Sequence, residues 1–262
     1  MKTKTLTISF LIVTASLFAH SGAAQSAATT SPMSLGLGVK LLGSQWKGDN
    51  VDSDTTFESS NGGQFGLNLV FQKGRFYTGL NLQSGDYKFK DDAPDQISKT
   101  DSTYSKTPVQ DITIKRGEAD ILVGYYFWPK VSLFLDIKSI SNVWDDKDPD
   151  TDNYATEFLG LGLGVSGFIP LNEQWTLFGS FGVVPSGTIK QKNGDNNEIG
   201  NGNSGALEFG SIFNITNQHR INFGLKSQWQ NYKFDNDQSD EQKHQLASVF
   251  LGYNYVFFFG PH

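Results

Sequence analysis

The sequence contains no cysteine, which removes disulfide frameworks, thiolate metal sites and thiol nucleophiles together. Histidine is scarce, with four in 262 residues, so imidazole chemistry has few places to sit. Past residue 24 no stretch approaches the roughly 18 consecutive apolar residues that a membrane-spanning helix needs. Any passage through a bilayer must be made by strands. Cations are outnumbered too: 21 Lys and Arg against 27 Asp and Glu leave a net charge of -6, a poor balance for binding nucleic acid. No pattern of residues asks for a cofactor.

What is present begins with Lys2 and Lys4, an apolar run from Leu6 to Ala19, and the small residues Gly22, Ala23 and Ala24. That order predicts a secretory signal peptide over 1–24, cleaved after Ala24. Its loss removes two lysines and no acid, so the mature charge moves from -6 to -8. A short lead over 25–32 then precedes one domain, 33–262. The 21 Phe and 28 Gly of the whole chain favour strands over helices.

Alternation with period two recurs through that domain in about ten segments, each near the roughly 9–11 residues of a tilted membrane strand. Leu35, Leu37, Val39 and Leu41 share one face of the first, with Gly36, Gly38 and Lys40 on the other. The sixth sets Leu159, Leu161, Leu163 and Val165 against Gly160, Gly162, Gly164 and Ser166. The tenth carries Ala247, Val249, Leu251, Tyr253, Tyr255 and Phe257 on one face. A soluble sandwich alternates as well. The connections discriminate. Tight turns at Lys73-Gly74-Arg75, Trp128-Pro129-Lys130, 170–173 and 216–219 alternate strictly with long polar links over 47–62, 88–111, 142–153, 190–204 and 235–244. Short turns at one rim and long loops at the other are the plan of an antiparallel, up-and-down transmembrane β-barrel of about ten strands. Aromatics near strand ends, among them Phe71, Phe76, Trp128 and Trp175 at the short turns and Trp46 and Trp229 at the loops, read as interfacial girdles.

The signal peptide, even strand count, turn asymmetry and aromatic last strand together resemble the small outer-membrane β-barrel proteins of Gram-negative bacteria, the OmpA-type barrel superfamily. The resemblance is architectural and covers most of the mature chain. It implies outer-membrane localisation, contact with outer-membrane lipids and lipopolysaccharide, and delivery by the barrel assembly machinery. The assembly signal it implies is the last strand, here Tyr253, Tyr255 and Phe257. The chain departs from the pattern by continuing Phe258-Phe259-Gly260-Pro261-His262.

Eight charges fall on the inward row near mid-height: Lys40, Arg116, Glu118, Asp120, Asp136, Lys138, Glu208 and Lys226. Four acids facing four bases in a narrow barrel form either an ion-pair plug or a polar path that selects a small solute. The first reading gives a structural or surface-interaction protein acting through its long loops; the second gives a narrow porin-like channel. A third class is an outer-membrane hydrolase or lipid A modifying enzyme, for which His244 is the rim histidine, although Ser248 lies about 13 Å along its own strand. The bland reading of His244 is an exposed rim residue. Asp145, Asp146, Asp148, Asp150, Asp152 and Glu157 space partly like a calcium loop, but Thr151 stands where the turn wants glycine, so a solvated acidic loop is the stronger reading and no metal is assigned. Lys88, Lys90, Lys115, Arg116, Lys190, Lys192, Lys233 and Lys243 near the outer strand ends suit lipopolysaccharide phosphates or plain solvent equally.

Overall fold

The computed structural model describes residues 33–100, 103–145, 154–192, 197–235 and 240–259. The predicted signal peptide, the lead over 25–32, His20, His262 and the middle of the acidic loop lie outside them. The strands are β1 (Met33–Asn50), β2 (Thr55–Glu58), β3 (Asn61–Lys73), β4 (Phe76–Asp92), β5 (Gln96–Thr100), β6 (Thr103–Thr107), β7 (Gln110–Trp128), β8 (Val131–Asp145), β9 (Ala155–Pro170), β10 (Trp175–Gln191), β11 (Glu198–Asn214), β12 (His219–Phe234) and β13 (Glu241–Phe259). Ten of them, β1, β3, β4 and β7 to β13, pair in sequence order, and β13 returns to β1 to close the barrel. Closure leaves no free edge.

Hydrogen-bonded register partners followed round the wall from Asn142 pass through Arg116, Gly85, Gln64, Leu42, Phe250, Gly224, Gly210, Phe178 and Phe168. They regain the start of β8 at Lys130, twelve residues from the starting point. A stagger of that size over ten strands tilts them by roughly 40°, within the range of closed barrels. Each short turn lies where the sequence places it, and Gly74 supplies the positive φ of 58° that the β3–β4 turn requires.

The long polar links are shorter than the sequence suggests, because the strands run on into them. The phase of the alternation reverses instead. On β1 the outward face reads Leu35, Leu37, Val39 and Leu41, then Gly43, Gln45, Lys47 and Asp49, while the inward face goes from Gly36, Gly38 and Lys40 to Leu42, Ser44 and Trp46. On β4, outward Leu82 gives way to Ser84, Asp86, Lys88 and Lys90, and inward Asn81 and Gln83 give way to Tyr87 and Phe89. The lower wall is apolar outside and polar inside; the upper wall is the opposite. An apolar outer belt in which Leu161 is 71% exposed and Leu135 68% suits lipid, whereas the charged outer face above it suits water.

This reversal corrects two sequence expectations. Trp46 is fully buried inside the upper barrel and belongs to no interfacial girdle, whereas Trp229 stays on the outer face over Gly205. Arg116 also points inward and is buried, unlike Lys88, Lys90, Lys115, Lys190, Lys192, Lys233 and Lys243, which are exposed.

Candidate functional site

Because alternate residues of every strand enter a narrow lumen, its contents follow from the inward row. An aromatic and aliphatic cluster that includes Tyr77, Tyr126, Phe134, Phe168, Phe178 and Val256 fills the short-turn end. Above it lie the charges. Lys40 Nζ donates to both carboxylate oxygens of Glu208 at 2.8 Å and stands 4.2 Å from the centre of the Phe250 ring. Glu118 is the hub of the remainder. It accepts from Arg116 Nε at 2.9 Å and from Gln228 Nε2 at 2.7 Å, with Lys226 Nζ at 3.6 Å. Lys226 also donates to Gln83 at 2.7 Å, and Arg116 Nη1 to Asn142 at 3.1 Å. Lys138 pairs with Asp120 at 2.5 Å. Asp136 lies two residues from Lys138 on the same inward row, packed against Gly162, where a Cβ would fall 2.0 Å from its Oδ1. Seven of the eight predicted lumen charges are therefore joined into ion pairs, and Asp136 flanks them.

The upper lumen is apolar and aromatic. Trp46, Phe57, Tyr87, Phe89, Ile114 and Trp144 form one cluster, and Ile140, Phe158, Val184, Ile199, Tyr232 and Phe234 form another. The second cluster also contains Ile97, which does not come from the wall. It is supplied by the hairpin of β5 and β6, a separate two-stranded sheet that folds over the outer mouth. No sequence signal singled out this hairpin, since residues 88–111 read only as a long polar link; the isolated Ile97 in that link is the one trace of it.

Wall groups grip the hairpin's backbone. Trp144 Nε1 donates to the Pro94 carbonyl at 3.1 Å, Gln242 Nε2 to that of Asp95 at 2.8 Å, and Asn50 Nδ2 to that of Ala93 at 3.2 Å. The Ile97 amide donates to the Tyr154 hydroxyl, which donates in turn to the Ile97 carbonyl. The Lys99 amide donates to Gln191 at 2.9 Å. A charge clasp completes the attachment: Lys106 Nζ lies 3.3 Å from Asp240 and 3.6 Å from Asp95, both buried, and Ser53 donates to Asp95 at 3.0 Å. Burial raises the Asp95 carboxyl above the usual carboxylate range, against the pull of the Ser53 hydroxyl and the Lys106 ammonium.

His244 is enclosed, contrary to the rim position expected of it. Only 3% of it is exposed, its Nδ1 accepts from Trp46 Nε1 at 3.2 Å, and rings of Trp46, Phe57 and Tyr232 surround it at 4.8–5.6 Å. The reversal of phase that buries Trp46 buries its neighbour too. Of the calcium-like spacing, the described residues include Asp145, paired with Lys115, and Glu157, paired with Lys192 and Ser139. Among the described residues no three His, Cys, Asp or Glu side chains gather as metal ligands.

Tyr253 and Phe257 face outward on β13, and Tyr255 lies partly covered between them against Phe257, ring centres 4.6 Å apart. The strand continues to Phe259, opposite Met33.

No family model matches the chain, and no curated protein matches it by sequence. Solved structures do. The outer membrane protease OmpT of Escherichia coli is 11% identical with a TM-score of 0.53, the match covering 89% of this chain and 99% of that one. The toluene transporter TodX of P. putida gives 10% and 0.36, covering 90% and 92%. Ail, the attachment invasion locus protein of Yersinia pestis, gives 12% and 0.33, covering 85% and 99%. The likeness to the first is one of fold: a closed, antiparallel, ten-stranded barrel of the outer-membrane type.

Proposed function

We propose that the chain is an integral outer-membrane protein with a closed, non-conducting barrel, which acts through the charged wall and loops it raises above the bilayer. The observation that carries this reading is the filled lumen: apolar cluster, ion-pair layer, aromatic cluster and hairpin succeed one another from the short turns to the outer mouth. Charges that select a solute in a channel must contact that solute, and here they contact each other. The outer-membrane placement draws on the apolar belt, the strand number and the N-terminal export pattern. Its lipid partners are the bilayer and lipopolysaccharide at the exposed lysines, and its assembly partner is the barrel machinery at Tyr253, Tyr255 and Phe257. No catalytic step is assigned, because His244 is sealed from substrate by the rings around it.

Planar-bilayer recording on the refolded full chain tests this. Silence at moderate voltage is expected. Reproducible conductance steps that vanish when Arg116→Met is introduced would place ion flow through the charged layer and refute the closed reading.

A further inference from the structure

The hairpin of β5 and β6 is a lid on the outer mouth; the short-turn mouth, at the other end of the barrel, holds a cavity of about 140 Å³. A single water needs only roughly 10–15 Å³, so there is room for a small group of atoms. Two turns and the strands beside them make its walls. The Tyr126 amide donates to the Arg75 carbonyl at 2.8 Å, which ties the β3–β4 turn to β7, and the Phe168 amide donates to the Lys130 carbonyl at 3.1 Å, which ties the β7–β8 turn to β9. The cavity is therefore preformed.

Two of the polar groups that line it lack partners. The first is the guanidinium of Arg75, which is exposed and forms no ion pair, and neither do Lys73 and Lys130 on the same two turns. By contrast, Lys47, Lys115 and Lys192 on the outer wall meet Glu58, Asp145 and Glu157. The short turns carry Lys73, Arg75 and Lys130 against Glu173 alone, so an anion is drawn to this rim. The second group is the hydroxyl of Tyr126. Only 7% of this residue is exposed, no described residue hydrogen-bonds its hydroxyl, and that oxygen is not sealed in the protein as those of Tyr87 and Tyr232 are. It opens on the cavity that Tyr126 lines. A polar group on so buried a side chain is nearly always paired.

The chemistry of the lining selects a ligand. Arg75 presents a planar fork of donors that matches a carboxylate. Gln72 gives its Nε2 to the Gly74 carbonyl at 3.0 Å, which leaves its Oε1, an acceptor, for a ligand. An acceptor beside a cation suits a molecule with an anion and an N–H donor a few atoms apart. The rings of Phe168 and of Trp128, the latter 64% exposed, add apolar walls that an inorganic anion cannot use. The last residue of a peptide has all three parts: carboxylate, amide N–H and side chain.

We infer that this cavity captures the C-terminal carboxylate of a peptide with a small apolar last residue, on the periplasmic side of the outer membrane. Arg75 takes the carboxylate with the Tyr126 hydroxyl as a second donor, Gln72 takes the amide N–H, and the side chain lies against Phe168 and Trp128. The lumen above stays filled. Which compartment supplies the peptide rests on the outer-membrane reading proposed above; the site itself does not.

N-acetyl-alanyl-alanine, its C-terminal amide and inorganic phosphate, titrated calorimetrically into the full chain in detergent micelles, test it. Saturable binding of the free acid is expected, with the amide and phosphate about tenfold weaker or more. Arg75→Gln, a change on an exposed turn, should weaken binding of the acid by about tenfold and leave that of the amide unchanged. Tyr126→Phe removes a hydroxyl that holds no other part of the protein, so the barrel should fold and bind the acid several-fold less tightly. No binding of the acid, equal binding of the amide or of phosphate, or an affinity untouched by both variants would show that the cavity is no carboxylate site. Failure there leaves the closed barrel standing, since conductance is not what these titrations read.

Discussion

Lys40 on β1 and Glu208 on β11 are 168 residues apart and have two strands of wall between them, yet Lys40 Nζ lies 2.8 Å from both carboxylate oxygens. The pair is a strut across the lumen. Both side chains are almost fully buried, so removing one leaves the other charged in a medium that cannot solvate it. Lys40→Met should cost about 3–5 kcal/mol in urea unfolding from lipid vesicles. Adding Glu208→Gln to it should restore much of the loss. A single variant as stable as the native barrel would mean the strut carries no strain-bearing charge.

Glu118 should matter more than any surface acid. It faces Arg116, Lys226 and Gln228 at once, whereas Glu58 meets Lys47 where both side chains are 52% exposed. Glu118→Gln is expected to cost on the order of 3 kcal/mol or more, and Glu58→Gln under about 1 kcal/mol, less at high salt. Equal losses in the same unfolding assay would contradict a charge-bearing lumen.

The lid should respond to pH through Asp95. Its carboxyl is raised by burial, with the Lys106 ammonium, the Asp240 carboxylate and the Ser53 hydroxyl facing it. A raised carboxyl binds its proton more tightly in the docked lid than in the lifted one. Docking is therefore strongest at acid pH and weakens as pH climbs from the ordinary carboxylate range, near 4, through the raised value. Hydrogen exchange of the amides over 97–100 and 103–106, corrected for intrinsic rates, should show that loss of protection, and Asp95→Asn should flatten it. A profile that rises with pH would reverse the sign argued here.

The Ile97 side chain anchors the lid by packing, beside the hydrogen bonds its backbone makes with the Tyr154 hydroxyl. Ile97→Ala leaves a cavity among Phe158, Ile199 and Tyr232 and should weaken docking by about 2–5 kcal/mol. Exchange over the hairpin should accelerate while the amides of β9 to β12 stay protected. Loss of protection throughout the barrel would show that the hairpin is no separate unit.

Two glycines on the wall should behave oppositely. A Cβ on Gly164 would fall 2.3 Å from the Phe134 ring and 2.3 Å from the Phe181 carbonyl, whereas on Gly117 it meets nothing nearer than 4.0 Å. Gly164→Val should abolish the compact, heat-modifiable band on cold gel electrophoresis, and Gly117→Ala should keep it. Normal folding of the valine variant would mean that β9 can move away from Phe134.

The amino-acid sequence by itself determined the barrel. Rows such as Leu159, Leu161, Leu163 and Val165 gave the strands, and the strict exchange of tight turns and long links, for which a soluble sandwich has no reason, gave strand number and antiparallel order, because a strand crossing a bilayer leaves one residue in two no choice of partner. It also gave the inward charges. It did not give their pairing, because Lys40 reaches Glu208 only through a stagger of twelve residues round the closed wall, a property of no single segment. Nor did it give Trp46, His244 and Ile97 as buried residues. Above the bilayer, water outside and packing inside invert the apolar face, and a period-two pattern that changes phase looks like a polar loop until the other nine strands are there to enclose it.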